Sequence, residues 1–553
     1  MRLCNPKTKV ETGFDYVLNA LRILTPYGRK RLKVISAYEP GKEEELRLEL
    51  DRLEKTIILI KDKSELAEFM QEILLDVKDN SFTIERSVGS VLSVVELYEI
   101  KTLLLQMEKI GAYLEAASQS GIQIPEAFRL IDLKVLLDEL DPDKERINTF
   151  YLYDAFSEKL ASLRKEKRQA ELEIRRLQKE QKCKIEGAYG IVMTPKFEYM
   201  VAKSDKELMS RAADIPGLML TDEDYMTAVF TLKPGEEVDT LKRSMEEINE
   251  AIDEEEIIVR EILSSKIGGY KTELTKNCEA LGELDFNFAK ALFSIRHECI
   301  KPEIAAEHVL VVLEGRQLML EDVLQKKGKK YLPVSIELLD GVTCITGANM
   351  GGKTISLKMA GQCALLAQHG FFVPCRSARI GLSSYVHILV GDSQNLQRGL
   401  SSFGSEMEEL KEILDRSKSR ALLLIDEIAS GTNPIEGQAL TKSIISYLSD
   451  KPYISLITTH FDNVSTGNKI RNMQVRGLAG ANFENLSREI RYANRRERIE
   501  IIGKYMDYRL YEVSGIDKTP RDALNIAQML GLDRDIIEQA RKFMEDRKDE
   551  KQA

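Results

Sequence analysis

Residues 1 to 150 carry apolar side chains at the spacing of amphipathic helices. Apolar positions recur at helical spacing, and short turns such as Glu39-Pro40-Gly41 separate the runs. The runs are Phe14, Val17, Leu18, Leu21 and Leu24, then Leu46, Leu50, Leu53 and Ile57, then Leu92, Val95, Leu97, Leu103 and Leu104. This pattern predicts an all-helical, bundle-like region.

The next segment predicts two long charged helices that flank a small β-containing cap. An approximate heptad seam without Gly or Pro runs through Phe156, Leu160, Leu163, Ala170, Ile174 and Leu177. A helix of about 30 residues there would be about 45 Å long. A second charged helical stretch runs from Val238 to Leu274, and strand-like residues separated by prolines lie between the two stretches. We expect the two helices to pair antiparallel and to carry the cap at their tip.

From Val309 onward, strand-like and helical runs alternate. The predicted strands are Val309–Leu313, Val342–Thr346, Tyr385–Val390, Ala421–Ile425 and Tyr453–Thr459. This alternation is typical of an α/β sheet with a parallel core. The predicted organisation is a helical core at 1–155, a first long helix at 156–190, a cap at 191–234, a return helix and further core at 235–308, and an α/β domain at 309–553.

Composition narrows the functional classes. The formal net charge of −10 over 553 residues argues against coating of nucleic acid through bulk positive charge, although it leaves room for a local basic surface. The seven cysteines form no CxxC pair, which disfavours a structural zinc site and favours idle thiols in a reducing compartment. Because the sequence contains neither a signal peptide nor an apolar run of about 18 residues, we expect a cytoplasmic protein without a membrane span.

One segment has the pattern of a phosphate-binding loop, G-x-x-x-x-G-K-[ST]. It consists of Gly347, Ala348, Asn349, Met350, Gly351, Gly352, Lys353 and Thr354. A buried-strand run precedes it and a helical run follows it, as this loop requires. The glycines let backbone N–H groups close around phosphates at a helix N-terminus. Lys353 would bind the β- and γ-phosphates of ATP, and Thr354 would be a ligand of Mg²⁺.

Two further strand ends carry candidate catalytic groups. The apolar run that starts at Ala421 ends in Asp426, a candidate Mg²⁺ ligand, and Glu427, a candidate general base for the attacking water. The run that starts at Tyr453 ends in His460, which would sense the γ-phosphate from the same sheet edge. Lone histidines are more often structural, so the functional role predicted for His460 rests on its position beside the other motifs.

Ser401 and Ser402 begin a segment, Ser-Ser-Phe-Gly-Ser-Glu-Met, that lies between the two main motifs. Either serine can cap the helix that follows. The order of TGANMGGKT, this Ser-Ser-Phe-x-x-Glu-Met signature, LLLIDEIASGT and TTH resembles the ATPase domains of the MutS family. The resemblance implies an ABC-type P-loop ATPase that uses ATP and Mg²⁺.

The resemblance also implies a homodimer. In that family, the signature serine and its helix N-terminus bind the γ-phosphate held by the other subunit, which is anion binding at a helix end acting in trans. Ser401 or Ser402 would take this role here. Gln394 or Gln397 would match the loop that links the nucleotide to the rest of the chain, and the motif does not distinguish between them.

Weaker likeness covers most of the remaining chain. The helical front, the paired helices and the cap resemble the core, coiled-coil lever and clamp of the family, and 521–540 resembles its C-terminal dimerisation motif. Where the family has His-Pro after an Arg, this chain has Gln317-Leu318. The family's contacts with the adenine of the nucleotide are therefore not carried over to these positions. We also expect no N-terminal mismatch-recognition domain with its Phe-x-Glu wedge and no C-terminal Smr domain.

Two functions fit these expectations. The first is an ATP-gated clamp that binds DNA without sequence preference, through the basic residues of the first long helix. These residues are Arg164, Lys165, Lys167, Arg168, Arg175, Arg176, Lys179, Lys182 and Lys184. A solvated helix face with intrahelical ion pairs would have the same composition. The alternative function is ATP-dependent remodelling of a protein client, such as reactivation of a cobalamin-dependent aminomutase.

Overall fold

A computed structural model gives the fold of the chain. It describes residues 3–347, 352–391, 402–417, 419–461, 464, 467, 469–477, 483–491, 497–498, 501, 504–505, 507–513 and 522–550. Within these ranges, no helix is both long enough and apolar enough to cross a membrane.

The chain up to residue 300 is mainly helical. Its helices are α1 (Pro6–Thr12), α2 (Phe14–Ala20), α3 (Pro26–Lys33), α4 (Glu43–Asp62), α5 (Ser64–Leu75), α6 (Ser81–Arg86), α7 (Val94–Gln119), α8 (Lys134–Leu140), α9 (Glu158–Tyr189), α10 (Lys206–Ala213), α11 (Glu236–Gly269) and α12 (Lys271–Arg296). Short 3-10 helices lie at Glu126–Phe128 and Asp154–Phe156. The strands are β1 (Glu198–Ala202), β2 (Leu218–Glu223) and β3 (Thr227–Leu232).

Strands and helices alternate in the remainder. The strands are β4 (Glu303–Ala305), β5 (Val309–Gly315), β6 (Val334–Leu339), β7 (Gly341–Thr346), β8 (Ser377–Gly381), β9 (Tyr385–Leu389), β10 (Ala421–Asp426), β11 (Tyr453–Thr458), β12 (Ile470–Gly477) and β13 (Asp507–Glu512). The helices are α13 (Leu318–Lys326), α14 (Gly352–Gln368), α15 (Ser402–Arg416), α16 (Pro434–Ser449), α17 (Phe483–Arg491), α18 (Asp522–Met529) and α19 (Arg534–Glu550).

The chain forms two compact units. The first unit contains 1–74, 115–128 and 282–553, and the second contains 75–114 and 129–281. The predicted long helix at 156–190 corresponds to α9, and the predicted return helix begins as α11. The functional names given to these segments from the sequence, lever and clamp, stay predictions.

In the second unit, α9 and α11 pack against each other antiparallel. Near the start of α9, the Ser157 hydroxyl donates to Glu255 at 2.7 Å and caps the helix by accepting from the Leu160 amide. Near its end, the Gln181 amide donates to the Lys233 carbonyl at 2.9 Å, just before α11 begins. The cap between the two helices is an antiparallel sheet in the order β1-β3-β2, and its own core includes Val201 and Phe230.

The first unit contains a six-stranded sheet in the order β13-β12-β7-β11-β10-β9. Its pairs are parallel except for β12 with β13. Along β10, Leu422 and Leu424 pack into one apolar core, while Leu423 and Ile425 pack into another on the opposite face. A strand covered on both faces needs such a continuous apolar run, so the run at 421–425 predicted this position correctly.

A second sheet has the order β4-β8-β5-β6. It includes β5, which the sequence pattern grouped with the strands of the parallel sheet. In the structure, β5 pairs antiparallel with both β6 and β8, so its two edges are already occupied by hydrogen bonds. Helix α14 packs against β5 as well as against β9 and β10, which explains why nearly all of its side chains are buried.

Candidate active site

The carboxyl ends of three parallel strands lie side by side at one edge of the six-stranded sheet. Thr458 at the end of β11 is opposite Asp426 of β10 on one side and Ile345 of β7 on the other. Parallel strands end at the same edge, and ligands of open α/β sheets bind outside those ends. Residues that lie more than 70 positions apart in the sequence therefore meet here.

The phosphate-loop motif begins directly after β7. Gly347 has φ of +131°, a backbone conformation that residues with a side chain rarely adopt. Helix α14 then begins at Gly352, which places Lys353 and Thr354 in its first turn. The predicted loop residues Ala348, Asn349, Met350 and Gly351 lie outside the described residues.

Lys353 and Glu427 form an ion pair at the centre of this edge. The Lys353 ammonium lies 3.0 Å from Glu427 Oε1, and only 4% of the lysine side chain is exposed, against 27% for the glutamate. A buried ammonium needs a counter-charge, since isolated burial would cost several kcal/mol. The contact joins the predicted phosphate-binding group to the predicted general base.

Thr354 and Asp426 form a second contact beside the first. The Thr354 hydroxyl donates to Asp426 Oδ2 at 2.7 Å, and the buried Thr458 hydroxyl donates to Asp426 Oδ1. A hydroxyl and a carboxylate are the oxygen ligands that Mg²⁺ prefers, together with water and substrate phosphates. No cluster of three or more His, Cys, Asp or Glu side chains that could hold a metal occurs within the described ranges. The pair fits Mg²⁺ whose remaining ligands come from a nucleotide and water.

The backbone after Asp426 adopts a strained conformation. Glu427 has φ of +49° and Ala429 has φ of +59°, although neither is glycine. Such conformations cost about 1–3 kcal/mol each and persist only where the surroundings fix them. The Glu427 amide donates to both the carbonyl and the hydroxyl of Thr458, each at 3.1 Å. These bonds hold the peptide that carries the candidate base.

Glu406 of α15 fixes the same loop from another direction. Its Oε2 accepts a hydrogen bond from the Ala429 amide at 3.1 Å. Burial raises the pKa of the Glu406 carboxyl, although the bond from Ala429 opposes that shift. Sequence reasoning used Glu406 only as part of the signature and did not identify Thr458 at all.

A second glutamate anchors α15 to the rest of the first unit. Glu409 Oε2 lies 3.0 Å from the Lys7 ammonium, and Oε1 lies 3.0 Å from His387 Nε2. Burial alone would raise the pKa of Glu409, but the contacts with His387 and Lys7 outweigh burial and lower it. Lys7 belongs to α1, whose Glu11 also pairs with Lys358 of α14 at 2.8 Å. Helix α1 therefore contacts both the helix after the phosphate loop and the signature helix.

The remaining predicted residues are two serines, two glutamines and His460. Ser401, Gln394 and Gln397 lie outside the described residues. Ser402 is the first residue of α15, but its side chain is not described. His460 follows β11 at the same sheet edge, is exposed, and has its ring centroid 4.3 Å from that of Phe461. The roles assigned to these residues stay predictions.

Gln317, where this chain departs from the family pattern, has a structural role. Its Oε1 accepts from the Leu320 amide at 2.6 Å and so caps α13, while Nε2 donates to the Thr12 carbonyl at 3.3 Å. Both ends of this buried side chain are therefore engaged within the first unit.

Comparison with known proteins agrees with these motifs. A family model described as MutS domain V matches residues 343–547. The protein named endonuclease MutS2 in Acetivibrio thermocellus is 30% identical to this chain over 335 residues, which cover 60% of this chain and 38% of that protein. The corresponding protein of Carboxydothermus hydrogenoformans is 30% identical over 353 residues, covering 61% of this chain and 40% of that protein. The protein of the same name in Clostridium botulinum is 32% identical over 255 residues, which cover 45% of this chain and 31% of that protein.

The chain thus matches between about a third and two fifths of the length of these relatives. Residues 343–547 contain both sides of the Lys353–Glu427 and Thr354–Asp426 contacts. They match the model of MutS domain V, so this part of the chain is similar to the MutS family, as its motifs predicted.

Proposed function

We propose that this chain is a Mg²⁺-dependent ATPase, and that ATP binding and hydrolysis drive a dimeric clamp that binds DNA. The observation that carries the ATPase proposal is the meeting of Lys353 with Glu427 and of Thr354 with Asp426 at one sheet edge. These are the groups that P-loop ATPases use for phosphate binding, metal binding and water activation. The proposal rests on the fact that these side chains contact each other, and not on their residue types alone.

The residues divide the work as follows. Lys353 binds the β- and γ-phosphate oxygens, and Thr354 and Asp426 hold Mg²⁺. The bound metal supplies positive charge at the phosphate oxygens during transfer. Because ATP phosphates compete with Glu427 for the ammonium of Lys353, nucleotide binding releases the Glu427 carboxylate. Glu427 then accepts a proton from the attacking water. The Thr458 hydroxyl and Glu406 keep Asp426 and the Glu427 peptide in place.

Lys353→Ala tests the ATPase proposal. The substitution removes the buried ammonium, so we expect binding of a fluorescent ATP analogue to fall below detection and phosphate release to stop. Lys358→Ala is the matched control, because Lys358 lies on the same helix but pairs with Glu11 at 2.8 Å rather than with Glu427. Normal ATP turnover by Lys353→Ala would refute the proposed site.

The dimer proposal depends on the signature serines, which would complete the site of the partner subunit. ATP turnover per chain should then fall as the protein is diluted below its dimerisation constant, and loss of both Ser401 and Ser402 should stop turnover while ATP still binds. A monomer that hydrolyses ATP at full rate without these serines would refute the composite site.

Support for DNA as the clamped molecule comes from α9. Its exposed residues Lys165, Arg168, Arg175 and Lys179 fall within a sector of about 80° at the helical rotation of about 100° per residue. Arg164 is held by Asp154 and Glu256, which makes it part of the structure, and Arg168 also lies 3.6 Å from Asp154. A basic stripe of this kind can contact phosphates without reading sequence. The comparisons give no support to the protein-client alternative.

Binding to duplex and branched DNA between about 50 and 200 mM salt tests this part. Replacing Lys165, Arg175 and Lys179 together by Gln should weaken binding and reduce the slope of log K against log salt by about two to three. The matched control replaces the exposed lysines Lys326, Lys327 and Lys330 by Gln, which removes the same charge elsewhere. Equal DNA affinity of both triple variants, or no DNA binding while ATP turnover persists, would refute the DNA proposal.

A further inference from the structure

Glu406 connects two parts of the ATPase machinery that are separated in the sequence. It lies in the first turns of α15, the helix that begins at the signature residue Ser402. Its carboxylate accepts from the Ala429 amide at 3.1 Å, two residues beyond the candidate base Glu427. We infer that Glu406 is a positioning residue that holds Glu427 in its productive geometry and links it to the signature helix of the same chain. This inference rests on the proposed ATPase function.

The loop needs such a holder, because its own conformation is unfavourable. Both Glu427 and Ala429 have positive φ, which is a strained backbone conformation for a non-glycine residue. Thr458 fixes the start of the loop through the Glu427 amide. Its far side is fixed by Glu406 at Ala429 and by the Thr441 hydroxyl, which donates to the Ile428 carbonyl at 3.2 Å. The base therefore projects from a loop that is pinned on both sides.

The helix that provides Glu406 is itself held firmly. Three residues later on the same face, Glu409 pairs with Lys7 and His387. These contacts fix α15 against α1 and β9, so a displacement of the helix would be transmitted to Ala429 through Glu406. In the proposed dimer, the N-terminus of α15 contacts the nucleotide held by the partner. Glu406 then makes the Glu427 of one chain sensitive to the nucleotide bound by the other.

Three variants separate positioning from a general effect on stability. Glu406→Ala removes the acceptor, Glu406→Gln keeps an oxygen acceptor of the same shape, and Glu408→Ala removes an exposed carboxylate of the same helix. We expect kcat of Glu406→Ala to fall about 10- to 100-fold, because small misplacements of a catalytic group have effects of this size. Its KM for ATP should stay within about threefold, and Glu406→Gln should recover most of kcat. Equal kcat values for Glu406→Ala and Glu408→Ala would overturn the inference.

Amide hydrogen exchange gives a readout that does not depend on turnover. The peptide containing Ala429 should exchange faster in Glu406→Ala than in the wild type or in Glu408→Ala. Unchanged exchange at Ala429 would overturn the inference. If the wild type hydrolysed no ATP, the proposed function would fail, and exchange at Ala429 would still decide whether Glu406 holds the loop.

Mixed dimers distinguish action within one chain from action across the interface. A dimer with one Glu406→Ala chain and one Glu427→Gln chain, isolated with two affinity tags, has a single intact base, in the Glu406→Ala chain. If Glu406 positions its own Glu427, this dimer retains one impaired site and turns over at about half the rate of the Glu406→Ala homodimer, which has two. If Glu406 instead serves the partner site, its loss falls on the site that already lacks Glu427, and about half of the wild-type rate remains. That second result would overturn the inference.

Discussion

Thr458→Val is the substitution that most directly tests how the site is built. Thr458 is fully buried at the end of β11, and its hydroxyl serves two neighbours at once. It donates to Asp426 Oδ1 and accepts from the Glu427 amide at 3.1 Å. Valine keeps nearly the same volume but has no hydroxyl, so both hydrogen bonds disappear while the packing is conserved.

The magnitude follows from these two bonds. The bond to the Asp426 carboxylate contributes about 1.5–3 kcal/mol, because one partner is charged. The loss at the Glu427 amide is smaller, since this amide also donates to the Thr458 carbonyl at 3.1 Å. We expect the free energy of unfolding to fall by about 2–3 kcal/mol. Because Thr458 orients a candidate metal ligand, the Mg²⁺ concentration for half-maximal turnover should rise about tenfold or more.

Urea unfolding and a Mg²⁺ titration of phosphate release measure the two effects. Thr458→Ser is the control, because it keeps the hydroxyl and loses one methyl group, which costs about 0.8 kcal/mol. Because Thr458→Ser retains the hydroxyl, it should keep a near-normal Mg²⁺ requirement, whereas Thr458→Val should not. If the two variants had the same Mg²⁺ requirement, the hydroxyl would not orient Asp426 and the description of the site would be wrong.

Three further predictions concern the base, a buried ion pair and a buried histidine. Glu427→Gln should bind ATP at least as tightly as the wild type, because the carboxylate no longer competes for Lys353, and should lose about 10²–10⁴-fold in turnover, measured by nucleotide binding and phosphate release; normal turnover would exclude Glu427 as the base. Lys101→Met should lower the unfolding free energy by about 3 kcal/mol, because it removes the ammonium 3.0 Å from the buried Asp141 and leaves that carboxylate only its contacts with Arg146. Adding Asp141→Leu should restore part of that loss in urea unfolding, and purely additive effects would contradict the pairing. Burial lowers the pKa of His369 to about 4, so the unfolded state binds this proton first as the pH falls. The free energy of unfolding should therefore decrease as the pH drops from about 6.5 to about 4. In urea unfolding, His369→Gln should reduce this decrease, and an unchanged pH profile would contradict the lowered pKa of His369.

The sequence predicted best those features that depend on local pattern. The helical front, the long helices α9 and α11, and the strands β7, β10 and β11 follow from hydrophobic periodicity, which each segment carries within itself. The placement of β5 in a separate sheet was not predictable, because an apolar run indicates burial but not which strand pairs with it. The phosphate-loop residues and the Asp426-Glu427 pair could be identified because their chemistry restricts the residue types and their order.

Thr458 and Glu406 show what the sequence could not supply. Thr458 appeared as one more member of an apolar strand, and only the parallel register that sets it opposite Asp426 gives its hydroxyl a role. The partner of Glu406 is a backbone amide, which carries no signal in the sequence. Its position depends on positive φ at Glu427 and Ala429, which few non-glycine residues adopt. Supporting contacts of this kind are set by backbone geometry rather than by residue type.

The Lys353–Glu427 ion pair has a consequence for the order of events at the site. While the pair is intact at 3.0 Å, Glu427 Oε1 is engaged by the Lys353 ammonium. In the proposed ATPase, a triphosphate would compete with Glu427 for Lys353, because it carries more negative charge than one carboxylate. On that proposal, Glu427 meets the attacking water once the phosphates have bound. The ion pair that compensates the buried lysine without nucleotide would then make activation of water depend on ATP.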